Sequence, residues 1–402
     1  MIALSGADIV LPDRVLANGS VVIEHGRIAA IEARPIDAGA GLTVVDASNR
    51  VVVPGFVDVH IHGVEGVDVL NGVDAVADVA RRLPRYGVTA FCPTSVACTP
   101  QRLTMLLAGV ARARSALAPG TARVLPAHLE SNFINPEWNG AQPAQCLRTY
   151  RSQGPRGDGD FASHEILQAI VANRASVGIV TLAPELPGGL DLVRDLVMAG
   201  HRVSLGHTGA TYEIAREAIA AGAHHATHLF NRMSSLASRS PGVVGAVLES
   251  DLVSAEVICD GHHVHPSLLA MAIRLKSPRR MIAITDGTAA AGLPFGSRAR
   301  LGDQTILAGE HTATLENGTL AGSMLTMDGA FRLLVGRLGL SLPDAARMCS
   351  KSPAEAMNAT GLGSIEVGNA ADLAVLSRDF RVIETYVAGA STLGTDRAPG
   401  PV

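Results

Sequence analysis

A chain of 402 residues, 47% hydrophobic and 17% charged, has the composition of a globular protein large enough for two domains or one large α/β barrel. A net charge of -4 without long runs of one sign, and aromatic residues at only 3%, offer neither the basic footprint nor the stacking surface that nucleic acid needs. Cys92, Cys98, Cys146, Cys259 and Cys349 contain no CxxC pair, so neither a disulfide framework nor a thiolate zinc site is indicated.

The chain opens with MIALSGADIVLPDRVL, which lacks a basic start and carries Asp8 and Asp13 where a signal peptide would be apolar. No apolar run approaches the ~18 residues of a membrane span, so the expectation is a cytoplasmic protein without a membrane partner. IALSGADIVL, GSVVIEHGRIAAIEA and LTVVDASNRVVVPG are short β-like runs punctuated by glycine and Asx residues, and IEVGNAADLAVLSRDFRVIETYVAG near the other end has the same character. Both ends together predict one small β domain, from residues 1–53 and 365–402.

Residues 54–364 have a different rhythm. Eight β-branched runs recur: 51–62, 87–94, 122–130, 176–185, 201–207, 223–231, 254–261 and 281–287. Helical stretches lie between them at 74–87, 100–117, 162–174, 190–200, 210–222 and 265–276, with Ser163 and Thr211 as candidate N-caps and Gly87, Gly200 and Gly222 as stops. Eight β-α units in series predict a (β/α)8 TIM-like barrel with its active site at the C-terminal strand ends.

The polar residues fall at those ends. His60 and His62 close the first run, in which Asp58, His60 and His62 share one parity; Glu130 closes the third, His207 the fifth, His228 the sixth and Asp286 the eighth. For His207 the same face is expected to carry Leu205 and Val203, and for Asp286, Ile284 and Ile282. A single strand-end histidine is well explained as a structural residue, but four histidines and two carboxylates at one barrel mouth point to a divalent metal site. Nitrogen and oxygen donors suit zinc, and also iron, manganese or cobalt. An ion there activates water and polarises a carbonyl, so hydrolysis of an amide or ester follows. Asp286 is a candidate ligand, cap or general base; the proton transfers of hydrolysis favour the base.

PGFVDVHIHG, HLE, GHTGATYEIAREAIAAGAHHATHLFNRMSSLASRSPGVVGAVL, ICDGHHVHP, TDGTAAAGL, LAGSMLTMDGAFR and GSIEVGNAADLAVL together resemble the N-acetylglucosamine-6-phosphate deacetylase family of the amidohydrolase superfamily. The resemblance implies a metal-dependent hydrolase barrel, a small β-sandwich, a homodimer and a phosphorylated amino sugar as substrate. By motif position Glu130, His207 and His228 match the principal metal ligands, and His60 and His62 match family members that hold a second ion. Asp286 matches the catalytic aspartate, and Asn231, Arg239 and His263 match positions that hold the sugar phosphate. Arg239 offers the bidentate fork that suits a phosphate.

Two departures concern the sugar pocket. Ser131 and Asn132 stand where the family has Gly-Pro, and Gln142 stands where it has a substrate-contacting histidine. They raise N-acetylgalactosamine 6-phosphate or another N-acylated sugar as an alternative substrate. Gln142 can donate to a carbonyl oxygen but cannot carry charge. A cyclic-amide hydrolase or deaminase on the same barrel is a further reading; the absence of lysine from VGIVTLAPE speaks against the cyclic-amide form. A silent ligand-binding barrel is disfavoured by the complete set of metal donors.

Overall fold

In the computed structural model, which describes residues 1–115, 118–151 and 161–392, all eight predicted runs form parallel strands of one sheet. Barrel strands one to eight are Phe56–Ile61, Val88–Ser95, Ala127–Glu130, Val177–Leu182, Arg202–Leu205, His225–Ala226, Ser254–Ile258 and Met281–Ile284. Strand one joins strand two, and the others follow in chain order. The circle is drawn shut by a parallel bridge between Ile61 and Gly287 and by the Asp286 N–H donating to the His60 carbonyl at 2.9 Å.

Parallel strands are apolar on both sides because both are covered. Val57, Val59, Ile179, Ile258, Ile282 and Ile284 meet in one cluster across the barrel interior. Phe91, Leu129, Val180, Leu182, Val203 and Leu205 belong instead to the large core shared with the helices. The expected placement of Ile282 and Ile284 therefore holds. That of Val203 and Leu205 does not: on strand five Ser204 occupies the opposite parity and bonds Thr227 Oγ1 at 2.6 Å.

The run 51–62 is two strands, not one. Val51–Pro54 pairs antiparallel with Leu373–Leu376, and Phe56–Ile61 enters the barrel. Gly55 is the crossover, where a Cβ would lie 2.2 Å from Thr89 Cγ2. The expected alternation of Asp58, His60 and His62 also fails, because pairing with strand two shifts register between Asp58 and Ile61. Asp58 accepts from the Thr285 hydroxyl at 2.5 Å and from the His60 N–H at 3.2 Å, stitching strand one to the end of strand eight.

The two chain ends meet in a single eight-stranded sheet with its own apolar core, including Leu4, Ile9, Val21, Ile28, Leu373 and Tyr386. Positions 393–402 of the expected C-terminal β part, and the end of the helix expected over 100–117, lie outside the described residues. The sheet is fastened to the barrel by Arg123, which donates from Nε and Nη2 to buried Asp372 at 2.6 and 3.1 Å.

All six predicted helical stretches contain helix, and Gly87, Gly200 and Gly222 end them with positive φ. Thr211 caps as expected, accepting from Ile214 N–H at 3.3 Å. Ser163 does not; it is the first helical residue, and Glu165 instead reaches back to the Ala162 N–H at 2.8 Å. Features not anticipated include the helix Gly242–Glu249, a four-stranded antiparallel sheet spanning 298–323, inserted after strand eight, and the short helices Met327–Arg332, Leu342–Ala346 and Ser352–Ala356 beyond it. Among the described residues no helix is long and apolar enough to cross a membrane.

Candidate metal centre and active site

Glu130, His207 and His228 converge. Glu130 Oε1 lies 2.7 Å from His207 Nε2 and 2.9 Å from His228 Nε2, and those two nitrogens are 3.1 Å apart. His207 Nδ1 donates to the Trp138 carbonyl at 2.8 Å, which turns the Nε2 lone pair toward the site. Two imidazole nitrogens facing one carboxylate oxygen at this spacing require a cation between them or a proton on one of them.

A second group stands beside the first. Asp286 Oδ1 lies 3.2 Å from His62 Nε2 and 3.4 Å from His60 Nε2. His62 Nδ1 donates to the Thr94 carbonyl at 3.0 Å, while His60 Nε2 is buried and makes no hydrogen bond. In each group the candidate ligand atoms lie within 4.8 Å of one another. The donor set therefore fits divalent metal, and the buried His60 Nε2, which makes no hydrogen bond, is available as one of its ligands.

Backbone strain concentrates at these strand ends. His207, His228 and Asp286 have φ of 47°, 31° and 49°, in the left-handed region that non-glycine residues avoid. The turn, and not strand parity, aims His207: it lies beyond Leu205, where strand five stops.

Charge follows from the same geometry. Burial pushes the Glu130 carboxyl up, but His207 and His228 outweigh it and hold it well below the ordinary range. Burial likewise opposes the charge on His62 and His228, yet Asp286 and Glu130 keep the first at about 9 and Glu130 keeps the second at about 9. Burial raises Asp286 and its bond to His62 overrides that, leaving it lowered and ionised at neutral pH. In metal-stripped protein, protons on His62 and His228 occupy the positions of ligand lone pairs. Zinc affinity is therefore expected to rise with pH through neutrality and level off above about 9, with protons released on binding. Competition titrations against a chelator over that range check this, and a flat profile would contradict it.

The other expected site residues divide. The mouth is a cleft lined by His62, Glu130, Gln142, His207, His228, Asn231, Arg232, His263 and Asp286, among others. Asn231 Nδ2 is buried without a partner, an open donor in a polar pocket. His263 Nδ1 bonds Asp260 Oδ2 at 2.6 Å, leaving Nε2 as its free nitrogen. Gln142 accepts from the Ala97 N–H at 2.7 Å and donates to Glu130, so one N–H remains for a ligand. Arg239 is exposed and does not line the mouth of its own chain.

Ser131 and Asn132 also differ from expectation. Ser131 donates to the Thr181 carbonyl, and Asn132 Nδ2 donates to the Cys98 and Cys146 carbonyls, both at 2.8 Å. They tie down neighbouring loops and do not line the cleft. Arg232, Asp260, His128 and Glu256 went unrecognised in the sequence. For Glu256 the signal was present: a carboxylate inside the apolar run SAEVIC has to be paired.

Known proteins are similar to this chain over most of its length. The Amidohydrolase family model matches residues 51–391. The chain is 33% identical over 369 residues to an N-acetylgalactosamine-6-phosphate deacetylase of Escherichia coli O157:H7, covering 91% of this chain and 93% of that one. It is 34% identical over 370 residues to an N-acetylglucosamine-6-phosphate deacetylase of Vibrio furnissii, with 92% and 89% covered. A solved structure of a variant N-acetyl-D-glucosamine-6-phosphate deacetylase from Mycobacterium smegmatis, in complex with N-acetyl-D-glucosamine-6-phosphate, superposes with a TM-score of 0.86 at 32% identity over 97% of this chain and 99% of that one. The chain belongs to the amidohydrolase family, among the N-acetylglucosamine-6-phosphate deacetylases.

Proposed function

We propose that this chain hydrolyses the N-acetyl amide of an amino-sugar 6-phosphate, with N-acetylglucosamine 6-phosphate as substrate and glucosamine 6-phosphate and acetate as products. The observation that carries the reading is the convergence of Glu130, His207 and His228 at one barrel mouth with Asp286 beside them. Glu130, His207 and His228 would hold one divalent ion, and His60, His62 and Asp286 a second; zinc is the first choice, with iron, manganese and cobalt as alternatives. Such an ion, when bound, supplies the Lewis acid that activates water and polarises the acetyl carbonyl.

The side chains do the rest. Asp286, ionised and facing the histidines, takes the proton of the attacking water and returns it to the leaving nitrogen. Gln142 holds Glu130 in place and has one N–H to offer the acetyl oxygen. Asn231 and His263 supply hydrogen-bonding groups to the sugar phosphate. Among the described residues, Arg232 is the arginine that lines the mouth of its own chain. Because Arg239 is exposed and outside that mouth, a phosphate role for it requires a second copy, which suits the expected homodimer. A cytoplasmic enzyme fits a phosphorylated substrate.

A galactosamine-type substrate is the second reading, favoured by Gln142 in the cleft and by the Escherichia coli relative. The test is acetate release from N-acetylglucosamine, N-acetylgalactosamine and N-acetylmannosamine, each with and without the 6-phosphate. The expected result is a preference of at least about tenfold for phosphorylated N-acetylglucosamine, equivalent to ~1.4 kcal/mol. Equal rates with and without phosphate would remove the cationic mouth from the reaction. Faster release from the galactosamine ester would establish the second reading.

A further inference from the structure

Behind the metal-facing histidines, on strand seven, Glu256 is fully buried and has no part in the mechanism above. Every partner recorded for its carboxylate belongs to a histidine. Oε2 lies 2.9 Å from His60 Nδ1 and accepts the His228 N–H at 3.4 Å; Oε1 lies 2.8 Å from His225 Nε2 and 3.5 Å from His128 Nδ1.

His128 is already spoken for. Its Nδ1 donates to the Val59 carbonyl at 3.0 Å, and its Nε2 accepts from the Thr181 hydroxyl at 2.7 Å. A hydroxyl chain continues from Thr181 to Thr227 at 2.7 Å and on to Ser204 at 2.6 Å. The carboxylate is therefore left to His60 and His225. An ionised carboxylate only accepts, so the His60 proton on that side sits on Nδ1 and the lone pair sits on Nε2. That Nε2 is buried without a hydrogen bond, 3.4 Å from Asp286 Oδ1 and 3.9 Å from Glu130 Oε1.

We infer that Glu256 is a positioning residue that makes His60 a metal ligand: it fixes the ring's tautomer and orientation from behind and thereby equips this chain for its second ion. The inference rests on the two-group reading of the metal centre given above. Carboxylates behind ligating imidazoles raise their basicity as well as orienting them, and their loss costs about 10–100-fold in metal affinity. The His228 N–H reaches the same oxygen only at 3.4 Å, a long contact beside the 2.9 Å bond to His60, so the first group depends on Glu256 far less than His60 does.

Glu256→Gln keeps one acceptor oxygen and loses the charge; Glu256→Leu removes both. Metal per chain and chelator-competition affinities with zinc are measured on wild type, the two variants and His60→Ala. The expected result is two zinc ions for wild type, with the second weakened about tenfold in Glu256→Gln and about 100-fold in Glu256→Leu, while the first stays in place in both. A purely structural role would weaken both ions together. Wild type taking two ions and Glu256→Leu taking two at wild-type affinity would overturn this inference alone. Wild type taking only one would overturn the two-ion reading and the inference with it. Should the variants fail to fold, nitrogen-resolved NMR of zinc-loaded wild type decides: His60 is expected to carry its proton on Nδ1, and a bare Nδ1 overturns the proposal.

Discussion

Asp286→Asn is expected to lower the turnover of N-acetylglucosamine 6-phosphate by about 10³-fold or more, within the range assigned to a positioned general acid-base group. Asparagine preserves the volume and the strained backbone that Gly287 follows, but its amide cannot take a proton from water or return one to nitrogen. The wild-type carboxyl is ionised because its bond to His62 and the nearby His60 outweigh burial, so the acceptor is ready at neutral pH. Metal content is measured alongside turnover, since Asp286 also belongs to the second ligand group. A variant that retains its metal and turns over within tenfold of wild type would remove Asp286 from the proton transfers.

Glu130→Gln is expected to strip the first ion and all measurable turnover while leaving the fold intact. Glu130 Oε1 is the one oxygen shared by His207 and His228, at 2.7 and 2.9 Å. Replacing it with an amide removes the negative charge that balances a divalent ion and sets an N–H against a histidine or against Gln142. Metal analysis is expected to show at least about 100-fold weaker binding, larger than the cost of losing a supporting residue. Circular dichroism unchanged from wild type, together with retained zinc, would contradict the assignment.

These expectations draw on features of different legibility. The barrel could be read because eight β-branched runs separated by helical stretches leave few other topologies, and because parallel strands buried on both faces are apolar throughout. The metal residues could be read because each sits at the end of such a run. What misled was the assumption of strict alternation. Val203 and Leu205 face the helices, and His207 reaches the mouth through a left-handed turn beyond them. Asp58 left the face of His60 at a register shift and became the stitch between strands one and eight.

The pocket was less legible still. Ser131 and Asn132 looked like substrate readers, yet their side-chain donors are taken by the Thr181, Cys98 and Cys146 carbonyls. Arg239 was placed by its motif and Arg232 was passed over, although only Arg232 lines the mouth of its own chain. Glu256 and His128 lie on strands where they resemble misplaced polar residues, and their meaning depends on partners 196 residues away for the Glu256–His60 bond and 69 for the His128–Val59 bond.

By itself the sequence determined the class of fold, the chemistry of the metal donors and the strand ends that carry them, because those follow from local pattern and residue type. The tertiary structure decided which way each strand-end side chain turns, which amides and hydroxyls are already spent, and which carboxylate stands behind His60. Those outcomes depend on strand register, on backbone turns and on hydrogen bonds between distant segments, none of which a one-dimensional pattern records.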